Sequence, residues 1–219
     1  MAGAGEFHRI LTERAEAPGI SILPDVADRL FAYYELLSRW NGRINLTSLP
    51  LQPLSGKAVD RLFLEPLFVA GELVGREEPR GTWIDVGSGG GSPAIPMRLV
   101  RPGGVMTLVE SRSRKAAFLA EVVRVLGLPA VSVSACRFED FETDLVARLV
   151  TVRAVRADVG LLGHIARILQ RDGRLIRFGV PTTSDDVPAE LSLLRSLKFG
   201  DAEGGPSSLI ADYVKCDKT

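Results

Sequence analysis

The chain has 219 residues, 46% of them apolar and 25% charged, a balance that fits a packed globular protein and excludes a disordered one. Lys plus Arg number 27 and Asp plus Glu 27, so no global field marks a nucleic-acid partner. No apolar run reaches the roughly 18 residues a membrane span needs, and the opening MAGAGEFHRI lacks a charged-then-apolar signal pattern. Cys136 and Cys216 lie far apart, and only His8 and His164 are present. That inventory suits a reduced, cytoplasmic protein with no metal site and no histidine-centred triad. We expect a monomer.

In chain order, residues 25–40 place Val26, Leu30, Tyr33, Tyr34 and Leu37 on one helical face. Asn41, Gly42, Pro50, Pro53 and Gly56 then break the period. A second helical region covers 57–74, with Pro66 inside it as an expected stop or kink. The polar stretch 75–81 is a boundary, giving a helical extension over 1–81 and a main domain over 82–219. From Thr82 the rhythm changes. The runs TWIDV, VMTLVE, AVSVSA, RLVTVR and GRLIRF read as strands, with helices near 94–100, 113–127, 159–170 and 186–196 between and after them. Such alternation predicts an α/β, doubly wound, Rossmann-like sheet covered by helices. The tail, 197–215, reads as two strands about a Gly/Pro/Ser turn, a C-terminal antiparallel hairpin.

The first strand ends in WIDVGSGGGSPAIP, residues 83–96. In a doubly wound sheet this β-α turn faces the ligand crevice. Glycines there let a ligand approach the main chain, and the next helix offers free N–H groups. Two cofactors compete. Gly89, Gly91 and Ala94 fit the dinucleotide spacing G-x-G-x-x-G/A, which alone is weak. Against it, Asp85 would put an anion beside a pyrophosphate. Asp85 with Gly87, Gly89 and Gly91, and Glu110 ending the second strand to receive two ribose hydroxyls, favours S-adenosylmethionine, whose amino-acid end carries an ammonium group. A purely structural glycine turn is the third possibility.

Several stretches resemble the small-subunit rRNA methyltransferase G family, also called glucose-inhibited division protein B: RWNGRINLTS (39–48), DVGSGGGSPAIP (85–96), the ES and RK pairs of 110–115, FL (118–119), CRFEDF (136–141) and VRAV (152–155). The resemblance covers nearly the whole chain. It implies methyl transfer from S-adenosylmethionine to N7 of a guanine in 16S rRNA, free or within the small ribosomal subunit. It implies that Asp85, Gly87, Gly89 and Gly91 line the methionine end of the cofactor, that Glu110 with Ser111 holds the ribose, and that Arg137, Phe138 and Glu139 lie beside the adenine. Arg153 is implied as the catalytic arginine, facing the methyl group and the substrate.

The chain departs from the family in its substrate half. Where the family has Arg-His-x-x-Asp-Ser, this chain has Arg61-Leu62-Phe63-Leu64-Glu65-Pro66, and Gly179-Val180 replace a Lys-Gly. The alternatives are therefore a methyltransferase of the same build with another substrate, and a cofactor-binding protein that only binds RNA or ribosomes. Guanine N7 carries its own lone pair, so the lack of a general base is compatible with N7 chemistry and less so with a hydroxyl target. Arg112, Arg114, Lys115, Arg153, Arg156 and Arg177 all follow or end strands, so a local basic rim for RNA is expected, against the plainer reading of solvated arginines. Trp40 is expected to pack the extension on the main domain with Asn41 at the helix end, His164 to pack, Cys136 to be a buried small side chain, and Glu65 to serve either structure or pocket.

Overall fold

The computed structural model describes residues 2–72, 81–144, 146–155, 158–179, 187–200 and 208–216. Most of the boundary at 75–81 therefore lies outside the described residues. Helix α1 (Ala4–Glu16) buries Phe7, Leu11 and Ala15, one residue per turn. That stripe lies on α2 (Pro24–Ile44), which buries Val26, Leu30, Tyr33, Tyr34 and Leu37 as its periodicity predicts. Pro24 begins α2 where a missing N–H costs nothing, and Asn45, left-handed at φ 48°, ends it. Phe7 stacks on Tyr34 at 5.1 Å and meets Phe63 edge-on at 5.4 Å.

The second helical region is a composite: α3 (Gly56–Val59), a π-helical turn over Asp60–Leu64, and α4 (Glu65–Glu72). Pro66 neither stops nor ends it. The wider turn absorbs the proline, because Glu65 N–H reaches back to Asp60 O and Pro66 has no N–H to place. The α partner of the Leu62 carbonyl and the π partner of the Arg61 carbonyl are both Pro66. The two carbonyls instead accept from Ser92 Oγ at 2.9 Å and from Arg153 Nη1 at 2.6 Å.

The strands are β1 (Thr82–Val86), β2 (Val105–Val109), β3 (Val131–Ser134), β4 (Ala147–Arg153), β5 (Leu169–Phe178), β6 (Leu191–Phe199) and β7 (Ser208–Lys215). They form one sheet in the order β3-β2-β1-β4-β5-β7-β6. The first five pair in parallel, and β7 pairs antiparallel with both β5 and β6. Three helices lie between parallel strands: α5 (Ala94–Val100), α6 (Ser113–Val125) and α7 (Val159–Ile168). Alternate residues feed two cores. Trp83, Met106 and Leu108 join the extension, α5 and α6 on one face, while Ile84, Val86 and Val150 join α7 on the other. The first core runs without a break from the extension into the sheet.

The helix expected at 186–196 is not there. Residue 186 lies outside the described residues, and from Leu191 the chain is strand. LSLLRSLKF carries leucines at helical and strand spacings alike, and β6 is an edge strand with a bulge between Leu193 and Arg195, which spoils the alternation. What fixes its place is remote: the wholly buried Asp212 of β7 pairs with Arg174 of β5 and Arg195 of β6.

Candidate active site

The strand order reverses between β1 and β4, and the crevice opens there, at the carboxyl ends of the strands. It is a cavity of about 780 Å³, bounded by the ends of β1 and β2, the turns after β3 and β4, the π-helical turn, and the loop after α2. That size suits a nucleotide-like ligand with room at one end.

The floor is the turn after β1. Gly87 is left-handed at φ +68°, and a Cβ there would lie 2.4 Å from Val155 Cγ2, so only glycine fits. Gly89 is left-handed at φ +52°, and a Cβ there would meet only the Gly87 carbonyl, at an ordinary contact distance of 3.6 Å. Gly87, Ser88, Gly89 and Gly90 all line the cavity, whereas Gly91 does not. Gly91 is a correction to the expected cofactor set: at φ +90° its Cβ would press Ile95 Cγ1 at 2.9 Å and Tyr33 Oη at 3.2 Å. It lets the loop pack against α2 and α5. Tyr33, deep in α2, donates to the Gly90 carbonyl at 2.5 Å. Burial pushes the Tyr33 phenol well above its usual range, so it stays a neutral donor.

Glu110 follows β2 and is 6% exposed. Its Oε2 accepts from Gly89 N–H and its Oε1 from Arg112 N–H, both at 2.8 Å. The carboxylate thus braces the glycine turn from across the crevice, and each oxygen keeps a lone pair for a hydroxyl. Asp85 differs from expectation. It sits behind the floor, 1% exposed, and does not line the cavity. Its Oδ1 accepts from Thr151 Oγ1 at 2.5 Å, and Trp83 Nε1–H donates to that hydroxyl at 3.0 Å. Its Oδ2 is buried with no partner within the described residues. Burial raises the carboxyl from 3.8 to about 6, against hydrogen bonds from Thr151 and Ser88 and the charge of Arg153. A proton or an arriving cation satisfies such an atom.

Ser111, Arg137, Phe138 and Glu139 line the cavity as expected. Phe138 is held from below by His164, ring centroids 4.9 Å apart, so His164 packs rather than reacts. Arg153 ends β4 in the cavity wall. Its Nη1 donates to Arg61 O at 2.6 Å and Ser92 Oγ at 2.9 Å, its Nη2 to Glu65 Oε2 at 2.5 Å, and it lies 4.4 Å over the Phe178 ring. Glu65, with no exposed side-chain surface, also pairs with Arg61 at 2.9 Å. Desolvation pulls the Arg153 guanidinium below its usual value, and Glu65 opposes the shift.

The expected basic rim separates into parts. Arg112 and Lys115 line the cavity mouth, and Arg114 lies in the groove beside it. Arg177 is 6% exposed, inside the sheet between β4 and β7, so it leaves the rim. Arg156 lies outside the described residues. Sequence reasoning missed Ser88, Gly90, Ser92, Tyr33 and Arg61, and gave no role to Thr47 and Ser48. Asn41 explains the last two: its Oδ1 accepts from Leu46 N–H at 2.7 Å and Thr47 N–H at 2.8 Å, holding that loop over the cavity. Trp40 packs on Phe118 and donates to Glu121, docking α2 on α6. Cys136 is half-buried beside Ser134 Oγ, not fully enclosed. Among the described residues no cluster of three His, Cys, Asp or Glu is placed to hold a metal, and no helix is long and apolar enough to cross a membrane.

The sheet order, the antiparallel terminal pair and the glycine floor facing a carboxylate after β2 define a Rossmann-like α/β enzyme of the methyltransferase class. The sequence model of the family described as rRNA small subunit methyltransferase G matches residues 27–179, and the chain belongs to that family. It is 37% identical over 154 residues to the ribosomal RNA small subunit methyltransferase G of Neisseria meningitidis serogroup C (strain 053442), covering 69% of this chain and 70% of that one. The protein of the same name from Nitrosomonas europaea is 37% identical over 169 residues, 73% of this chain and 74% of its own. Among solved structures, MtNAS in complex with MTA and tNA superposes with a TM-score of 0.58 at 17% identity, covering 97% of this chain and 87% of its own. TrmN from Thermus thermophilus gives 0.57 at 13% identity, covering 72% and 53%. At such identities these two show the fold alone.

Proposed function

We propose that this protein transfers a methyl group from S-adenosylmethionine to N7 of a guanine in 16S rRNA, as a cytoplasmic monomer without a metal. The residues fit the cofactor: an orphaned buried carboxylate oxygen on Asp85, a floor at Gly87 that a Cβ would block, and a carboxylate at Glu110 with lone pairs to spare. When bound, the cofactor supplies an electrophilic methyl on a sulfonium. The chain binds and orients. Glu110 receives ribose hydroxyls, with Ser111 beside it. Arg137, Phe138 and Glu139 flank the adenine. Asp85 sets negative charge beneath the end that takes the ammonium. The domain division at 81/82 remains our reading of the organisation, with the extension supplying Tyr33 and the loop of Thr47 and Ser48 to the site.

The observation that carries N7 is the absence of a free base at the substrate end among the described residues. The cavity lining holds no histidine and only two acids, Glu110 and Glu139, both on the cofactor side. The nearby acid, Glu65, is engaged by two arginines. A group whose proton must be removed finds no acceptor, whereas N7 needs only alignment. Arg153, anchored at three acceptors in the cavity wall, is the catalytic candidate, its charge held beside the place where an acceptor such as guanine O6 would lie.

The test is incubation with labelled S-adenosylmethionine and small ribosomal subunits or deproteinised 16S rRNA, then mass spectrometry of nuclease digests. The expected product is 7-methylguanine. Another methylated product would transfer the protein to a different substrate, and folded, cofactor-bound protein that methylates no RNA would reduce it to a binding protein.

A further inference from the structure

A second cavity of about 730 Å³ runs from the mouth of the active site, sharing Ser111, Arg112 and Lys115 with it. One wall is the last turn of α2 and its cap, with Asn41, Arg43 and Asn45; the other is the first turn of α6, with Arg112, Arg114 and Lys115. Four cations line this groove and no acid does. Arg43, Arg112 and Arg114 are exposed, Lys115 is half-buried, and none of the four joins an ion pair within the described residues. Several arginines elsewhere are paired, Arg9 with Glu13, Arg14 with Asp60, and Arg61 and Arg153 with Glu65, whereas the groove gathers four cations without such a pair among the described residues.

The main chain points the same way. Arg112 precedes α6 without a side-chain cap, so the 13-residue helix brings the N–H groups of Ser113 and Arg114 and the positive end of its dipole to the groove wall. The opposite wall is held rigid, since the Asn41 side chain fixes the following loop and Asn45 N–H caps the Asn41 carbonyl. At the opposing carbonyl end of α2 the Asn41 carbonyl is capped by Asn45 N–H, and Arg43 sets a cation over that end. Trp40, docked on Phe118 and Glu121, fixes the spacing between the walls.

We infer that the groove between α2 and α6 is a track for the phosphodiester backbone of the RNA strand that delivers its base to the active site, with Arg43 of the helical extension as one of its phosphate contacts. This rests on the proposed RNA substrate. A base enters a concave pocket only after leaving its stack, so the flanking phosphates must lie along the surface that continues from the pocket mouth. Cations backed by helix N–H groups bind phosphate without reading sequence. The track positions the strand, and selection of the base belongs to the pocket.

The experiment uses the full chain saturated with S-adenosylhomocysteine and titrated with deproteinised 16S rRNA and with small subunits over a salt series. Wild type is compared with Arg43→Gln/Arg114→Gln and with a control pair, Arg124→Gln/Arg167→Gln, exposed arginines outside both cavities. Each lost phosphate contact lowers the slope of log affinity against log salt by roughly 0.7–0.9. The groove pair should therefore lose about 1.5 of slope, with weaker RNA binding at every salt, while S-adenosylhomocysteine affinity measured by calorimetry stays at the wild-type value. A slope unchanged in the groove pair overturns the track, as does an equal loss in the control pair. Wild-type protein that binds neither RNA nor subunits at low salt overturns the RNA substrate itself, and the track with it.

Discussion

Glu65 and Arg153 meet in the wall of the cavity, a fully buried carboxylate 2.5 Å from a guanidinium that is itself 14% exposed. The carboxylate is shared: Arg61 takes its other oxygen. One buried acid thus holds two cations side by side where the substrate base is expected. Glu65→Gln would leave Arg153 buried without its counter-charge, and breaking such a pair typically costs about 3–5 kcal/mol. Urea denaturation should register the loss, and Glu65→Asp should recover part of it.

Arg153→Lys keeps the charge but not the planar fork that reaches Arg61 O, Ser92 Oγ and Glu65 together. Methyl transfer should fall roughly 100-fold, the scale of one preorganised charged contact in a sheltered site. Cofactor affinity, read by calorimetry, should hardly move. Undiminished turnover in a folded variant would leave the arginine a purely structural tie.

Glu110→Ala removes the proposed ribose acceptor and also releases Gly89 and Arg112 N–H. Two charge-assisted bonds are at stake, each of order 1.5–3 kcal/mol, so the cofactor dissociation constant should rise by at least about tenfold. Glu110→Gln, which keeps one carbonyl acceptor, should lie between wild type and Glu110→Ala. Equal affinity in all three proteins would take Glu110 out of the site.

Gly89 and Gly91, two positions apart in the same loop, should fail differently. Gly91→Ala drives a Cβ to 2.9 Å from Ile95 and 3.2 Å from Tyr33, so its melting temperature should drop sharply. Gly89→Ala makes only an ordinary contact with the Gly87 carbonyl and bears the cost of its left-handed backbone, about 1–2 kcal/mol. Its stability should fall modestly while its cofactor affinity falls more, because the new methyl projects into the cavity lining. Thermal melts with and without S-adenosylhomocysteine separate the two.

Asp85 makes binding and stability respond to pH in opposite senses. Burial lifts its carboxyl from 3.8 to about 6, with Thr151, Ser88 and Arg153 opposing and Glu110 reinforcing the shift. Between those values the folded chain holds a proton that the unfolded chain has lost, so this group withdraws stability as pH rises through that window. An ammonium ligand prefers the ionised form, so S-adenosylhomocysteine affinity should strengthen over the same rise and level off above about pH 6. Asp85→Asn should flatten the binding profile, weaken binding at neutral pH, and make the ligand-free protein more heat-stable there. A wild-type profile surviving in Asp85→Asn would assign the titration elsewhere.

Much of this was legible in the sequence because the signals are local. The runs ending at Val86, Val109 and Arg153 are strongly β-branched or apolar, and Gly87 and Glu110 stop the first two. The misread segment, 191–196, has leucines that satisfy either period, and its true partner is Asp212 of another strand. The loop GSGGG shows that the backbone must turn but not which glycine faces a ligand: Gly91 answers to Ile95 and Tyr33, contacts set by packing. Asp85 was found at the right strand end, but a strand's pleat alone does not say that it would lie behind the floor. Arg177 read as rim because strand ends are exposed on average; the antiparallel β7, paired to it through Ala211, closes over this one.

Pro66 gives the site a kind of part that side-chain substitution does not reach. By withholding one N–H it turns two carbonyls of its own helix outward, and Arg153 and Ser92 dock on them. The acceptors at Arg61 and Leu62 are main-chain atoms, indifferent to what those residues become. The position that controls them is four or five residues further along the helix. Any other amino acid at 66 would restore a competing donor inside the helix, and one of the anchors of Arg153 would weaken without a change to any residue it contacts.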